Sequence, residues 1–201
     1  DKNPFAHVRQ LKVPFRGRTY LAQDDLDSLL KCIKESWFHD VVVFALNTGL
    51  RRGEIVNLKW KDISLESREI TVRNTEEFTV KGGIGRTVPM NDTVYNMLSN
   101  KLPTSEYVLT NANGKKLYPN YVRERFKQYI LKAGLNPTLH FHHLRHTFAT
   151  LLVQDGAPIY ELKELLGHKD VKTTQIYSHM EVDSLRGAVA RLDRMKIVLN
   201  Q

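Results

Sequence analysis

Hydrophobic residues recur at helical spacing along most of this 201-residue chain and lose that spacing in one stretch, between Ile63 and Met90. Leu26, Leu29, Leu30 and Ile33 fall at i, i+3, i+4 and i+7, which predicts an amphipathic helix over 22–35. An apolar helix follows over 39–47, Gly49 ends it, and helix restarts over 52–58, so Arg51 stands at a helix junction where its side chain can point into a cleft. Further helices are expected over 92–98 (Val94, Met97 and Leu98 on one side), over 120–133 (Val122, Phe126, Tyr129 and Ile130, with Gly134 as the stop) and over 142–154 (Leu144, Phe148, Leu151 and Leu152). Pro158 fits the first turn of a helix running to Leu166, Asp170 is the expected N-cap of 171–177, and Leu185, Val189 and Leu192 mark a last helix over 182–198. The exception, 63–90, holds three short β-prone runs at 70–72, 78–80 and 86–88. Lys81-Gly82-Gly83-Ile84-Gly85 then reads as a hairpin turn with Lys81 at its tip, its glycines letting the backbone approach a ligand. The expected fold class is mainly α with a small three-stranded antiparallel β-sheet.

Thirty Lys and Arg against 22 Asp and Glu give a net charge of +8. That excess favours a polyanionic partner, because phosphates neutralised by Lys or Arg release their condensed counterions. The single cysteine, Cys32, excludes an intrachain disulfide and a cysteine-based zinc site, and its place on the first helical stripe makes it a small buried hydrophobe. The longest apolar run, Val41 to Leu46, is too short to cross a bilayer, and the first residues carry charge and a proline where a signal peptide would have an apolar core. An intracellular protein without membrane contact is expected.

Three C-terminal stretches gather the chemistry: His142-His143-Leu144-Arg145, Leu166-Gly167-His168 and Tyr177-Ser178-His179. Upstream, Thr48-Gly49-Leu50-Arg51-Arg52-Gly53-Glu54 adds arginine in a Gly-marked turn. Arginine, histidine and tyrosine together are the groups needed to break a phosphodiester through a tyrosine nucleophile. Arginine suits the phosphate because its planar fork donates two hydrogen bonds to non-bridging oxygens and stays charged. Imidazole donates or accepts a proton near neutral pH. His140, His142, His143 and His146 form a dense cluster, and His142 with His146 has the i, i+4 spacing of a helical metal pair. With no glutamate in the H-E-x-x-H position and no cysteine nearby, neither a metal nor another cofactor is expected. His143 and His146 read as structural or exposed.

These boxes, in this order and at this approximate spacing, resemble those of the tyrosine recombinases, also called the phage integrase family. The matching elements are Thr-Gly-Leu-Arg-x-x-Glu at Thr48 to Glu54, the lysine turn with Arg86-Thr87-Val88-Pro89, His-x-x-Arg at His142 to Arg145, and Leu-Gly-His with Thr-x-x-Tyr-Ser-His from Leu166 to His179. The resemblance implies a tyrosine recombinase catalytic-domain fold and a site-specific DNA recombinase that cleaves and rejoins DNA through a 3′-phosphotyrosyl intermediate. It implies as catalytic residues Arg51, Lys81, His142, Arg145, His168 and Tyr177: Tyr177 the nucleophile, Arg51 and Arg145 the phosphate clamp, Lys81 the acid to the 5′ oxygen, and His142 and His168 beside the phosphate in roles the sequence does not divide. Arg51 is preferred to Arg52 because it directly follows Gly-Leu with Glu54 three residues on. Glu54 either orients a catalytic side chain or is an ordinary helix-surface carboxylate.

Residues 1–20, with Pro4, Pro14 and Gly17, read as a linker, and Asp1 is not an initiator methionine. The resemblance implies an N-terminal DNA-binding domain upstream, with 21–201 as the catalytic domain ending in the 182–198 helix. It also implies double-stranded DNA as partner, self-association to a tetramer on DNA, accessory DNA-bending proteins, and a cytoplasmic, nucleoid-associated protein of prokaryotic, phage or mobile-element origin. Two alternatives stand beside this one. A sequence-specific DNA-binding module that lost the chemistry is disfavoured because every expected catalytic position holds a competent residue. A relaxing topoisomerase of the related type IB group shares the Arg, Lys and Tyr chemistry, but the short chain and the Leu-Gly-His box favour a recombinase.

Overall fold

In a computed structural model the described residues are 20–75, 78–80, 85–155, 157–167 and 189–190. They form seven helices and one sheet: α1 Gln23–Cys32, α2 Ser36–Thr48, α3 Arg52–Asn57, a short 3-10 turn Trp60–Asp62, β1 Ile63–Ser64, β2 Glu69–Val72, β3 Arg86–Pro89, α4 Asp92–Ser99, α5 Pro119–Lys132, α6 His142–Gln154 and α7 Ile159–Leu166. The expected class holds, with α1 ending at Cys32 instead of residue 35. Cys32 itself is half-buried against the core, less enclosed than its place on the stripe suggested.

The sheet differs from expectation in one strand. It runs β1-β2-β3, all antiparallel, with Ile63 opposite Ile70 and Ile70 opposite Val88. The expected strand at 78–80 does not form. Thr75 and Phe78 exchange backbone hydrogen bonds with each other, and the Val80 N–H donates to the Asn74 side chain at 2.8 Å. An Asn side chain that takes a backbone donor removes it from a ladder. The third strand is instead the two-residue β1. The expected Lys81 hairpin tip lies outside the described residues.

α2 is the central helix because its sequence is apolar all round: every residue from Val41 to Thr48 is buried. Asn47 and Thr48 enter this core by donating back to the Val43 and Phe44 carbonyls at 2.8 and 2.7 Å. Asn47 also accepts from Asn91, whose own oxygen caps α4 by taking the Val94 N–H, so a buried polar link ties α2 to α4. α6 lies along α2. The described chain enters the core at Leu21, whose N–H donates to the Thr147 hydroxyl on α6 at 2.9 Å. The expected helix 171–177 lies outside the described residues. Of the expected helix 182–198, Val189 and Ala190 are described; both are helical, and Val189 is buried in this chain's own core. Among the described residues no helix is long and apolar enough to cross a membrane.

Candidate active site

Gly49 is the hinge on which the site is built. It ends α2 in the left-handed conformation, at φ +63°. A Cβ there would lie 2.5 Å from Cδ1 of Phe148, so both the backbone turn and the approach of α6 require glycine. One turn earlier on α6, Arg145 donates from Nη1 to the Gly49 carbonyl at 2.7 Å. The same close approach therefore brings the His-x-x-Arg helix onto the segment that carries Arg51.

Arg51 precedes α3, and Glu54, three residues on, folds back to accept the Arg51 backbone N–H at 2.8 Å. This is the reciprocal half of a capping box, with a glutamate at the third helical position satisfying an otherwise unpaired donor. Glu54 is not a helix-surface carboxylate: its side chain is 1% exposed. Its Oε1 accepts from Arg51 Nη1 and from Arg86 Nη1, both at 3.0 Å, and its Oε2 accepts from Arg86 Nη2 at 2.8 Å. Burial acts to raise the Glu54 pKa, but the pairing with Arg86 and the hydrogen bonds from Arg51 outweigh it and hold the carboxyl below its ordinary range.

The three arginines meet again at the C-terminal end of α7. Arg86 Nε donates to the Leu165 carbonyl at 2.8 Å, Arg145 Nη2 to the Leu166 carbonyl, and Arg51 Nη2 reaches the Gly167 carbonyl at 3.5 Å. A helix leaves its last carbonyls without intrahelical partners and carries partial negative charge there, so cations are favoured at that place. Gly167, at φ +59°, closes α7, and a Cβ there would lie 2.9 Å from Cδ of Arg86. The middle residue of Leu-Gly-His is thus glycine for two reasons, the left-handed cap and the stem of Arg86.

Arg51 and Arg86 pair with the carboxylate of Glu54 and Arg145 lies near it without a bond to it, so among the described residues the cluster of three guanidinium groups and one carboxylate carries excess positive charge. Burial, then the charges of Arg51 and Arg86, push Arg145 down to about 9 against the opposing pull of Glu54. An entering anion would relieve that strain. Arg145 is 3% exposed and uses two of its five N–H groups on carbonyls, while Arg51 is 18% exposed in its side chain. Arg52 is half-buried and makes none of these bonds; burial and then nearby Arg123 lower its pKa.

On α6 the imidazoles face outward. His142 and His146 are exposed with their rings 4.9 Å apart, and the half-buried His143 ring lies tilted against that of His140 at 4.0 Å and accepts the His140 N–H through Nδ1. Partial desolvation, followed by the charges of His146, Arg145, His140 and Arg51, pushes His142 down to about 4, so its ring is neutral at pH 7. Among the described residues no three His, Cys, Asp or Glu converge as metal ligands.

Of the six residues expected from sequence, Arg51, Arg145 and His142 are brought together, while Lys81, His168 and Tyr177 lie outside the described residues. The flanks of the Lys81 segment are described, and both are fixed to α3: the Phe78 ring would lie 3.1 Å from a Cβ on Gly53, and Arg86 pairs with Glu54. His168 directly follows Gly167. Arg86 is the residue that sequence reasoning named without assigning a role. Its signal was an arginine opening a short β-prone run with Val88 two residues on, where a long charged side chain needs a partner.

The sequence pattern that defines the phage integrase family matches residues 19–183. The chain is 33% identical over 198 residues to the tyrosine recombinase XerA of Pyrococcus furiosus, covering 94% of this chain and 67% of that protein. It is 36% identical over 200 residues to the tyrosine recombinase XerD of Staphylococcus epidermidis, covering 92% of this chain and 66% of that protein. The chain therefore spans about two thirds of the length of these curated relatives. Its fold matches the Tn1549 transposon integrase, solved in complex with transposon right-end DNA, at a TM-score of 0.68 and 26% identity over 96% of this chain and 72% of that one.

Proposed function

The chain belongs to the phage integrase family of tyrosine recombinases, and from that premise we propose that the protein cleaves and rejoins double-stranded DNA site-specifically through a tyrosine. The observation that supports this most is the positive cluster of Arg51 and Arg145, drawn from segments 94 residues apart and held by Glu54 and the end of α7. Preorganised donors of this kind favour a transition state in which charge builds on the non-bridging oxygens.

In the proposed reaction the Tyr177 oxygen attacks the scissile phosphorus while the bond from phosphorus to the 5′ oxygen breaks. The products are a 3′-phosphotyrosyl bond and a free 5′ hydroxyl, and the reverse step reseals a strand without an external energy source. Lys81 gives the proton to the 5′ oxygen. His142 and His168 flank the phosphate, one assisting proton removal from Tyr177 and the other donating to a non-bridging oxygen; the neutral ring of His142 suits either part. Exchange between two duplexes calls for four protomers on DNA, with residues 1–20 leading to a DNA-binding domain and accessory DNA-bending proteins setting the outcome. A cytoplasmic, nucleoid-associated setting follows from the substrate.

The test uses a nicked duplex recovered by covalent capture from random-sequence DNA, in EDTA. Cleavage should proceed, Arg51→Lys should slow it by about 10²–10³-fold because one ammonium cannot replace the fork, and Arg52→Lys should leave it nearly unchanged. Cleavage that depends on a divalent metal, or an inverted order of the two arginines, would contradict the proposal.

A further inference from the structure

Arg86 bonds Glu54, which holds Arg51, and the end of α7, on which both clamp arginines rest, without being placed to touch substrate itself. Its side chain is 7% exposed, and its Nε, Nη1 and Nη2 all donate, to the Leu165 carbonyl and to both oxygens of Glu54. The carboxylate accepts four hydrogen bonds, two from the Arg86 fork and two from Arg51, one of them from the Arg51 backbone. Four is about the full acceptor capacity of a carboxylate. With the fork position taken by Arg86, the Arg51 guanidinium meets Glu54 through Nη1 alone.

We propose that Arg86 is a positioning residue for strand cleavage, occupying Glu54 and the end of α7 so that Arg51 keeps its outer N–H groups for the scissile phosphate. The proposal rests on the reading of Arg51 as a phosphate clamp. Without Arg86 a buried carboxylate has two acceptor positions open, and the nearest guanidinium is Arg51. Fork-to-fork pairing is the stronger geometry, so Arg51 turns onto Glu54 and is withdrawn from substrate. The same loss frees the Leu165 carbonyl, beside the Leu166 and Gly167 carbonyls on which Arg145 and Arg51 rest. Arg86 thus acts through the charge that Arg51 presents to the phosphate.

The experiment compares wild type, Arg86→Met and Arg86→Lys in single-turnover cleavage of the same nicked duplex, made once with a natural scissile phosphate and once with a methylphosphonate. The methylphosphonate has a neutral methyl group where one charged non-bridging oxygen was, so it needs the clamp less. On natural DNA Arg86→Met should lose about 10- to 100-fold in cleavage with half-site binding retained, and Arg86→Lys should recover part of that loss. On the methylphosphonate most of the deficit should disappear. An equal deficit on both substrates would place the action of Arg86 in the Lys81 segment or in the fold at large and overturn the inference, and so would wild-type rates on natural DNA. Should Arg86→Met fail to fold, Arg86→Lys carries the same comparison. If wild type itself forms no covalent adduct, the recombinase reading fails and this inference with it; if only the substrate comparison fails, the recombinase reading stands.

Discussion

Arg145 and His142 lie one turn apart on α6 and are held in opposite ways. The arginine side is buried, bonded to backbone carbonyls, and lies beside two other guanidinium groups that pair with the carboxylate of Glu54. The histidine side is largely exposed, its rings lean on one another, and burial and neighbouring charge lower the pKa of His142, His143 and His146 alike. A group that must present fixed charge to a transition state gains from rigid supports, since reorganising it during the reaction would cost part of its effect. A group that must exchange a proton gains from a charge state that the substrate can change. One helix carries both because its faces meet different surroundings.

The largest effect should come from the arginine side. Glu54→Ala leaves the buried Arg86 and the half-buried Arg51 without their shared counter-ion and should cost about 3–5 kcal/mol of stability in urea unfolding. A loss below about 1 kcal/mol would mean that water or another group takes its place, and the picture of a rigid cage would break. Gly167→Ala should cost less, about 1–3 kcal/mol, from the left-handed backbone and the contact with Arg86. Its cleavage defect should resemble that of Arg86→Met, which sharpens the claim that the end of α7 is part of the cage.

The smallest effect on stability belongs to the histidine side, and its sign is set by the shift. The folded pKa of His142 is about 4, below its ordinary 6.5, so its contribution is complete above pH 6.5 and is lost as pH falls toward about 4. An NMR titration of the imidazole, assigned with His142→Gln, should give a midpoint near 4 in the free protein. Binding a duplex should raise that midpoint, because a phosphate favours the protonated ring. A free-protein midpoint at the ordinary value would erase the contrast between the two sides.

The helices were legible because their apolar stripes are long, and Gly49 and Gly134 stop them where expected, both at positive φ. The sheet was legible in kind but not in membership. Residues 78–80 have strand composition, yet Asn74 takes the N–H that a ladder needs, and β1 has two residues, too few to show a period. Arg51, Arg145 and His142 came from motif spacing. The role of Glu54 was within reach, since an acidic residue three positions into a helix answers the N–H at its start. Arg86 was not, because what makes it important is the approach of α3 and α7, which no local pattern encodes.

The proposed reaction turns on its nucleophile. The measurement is peptide mapping of the covalent complex that the wild-type protein forms on the nicked duplex in EDTA, set beside Tyr177→Phe. The wild-type complex should carry a 3′-phosphate ester on Tyr177, and the Phe variant should form no adduct while binding a half-site close to wild type, because only one oxygen is lost. An adduct on another residue, or one that survives Tyr177→Phe, would contradict it.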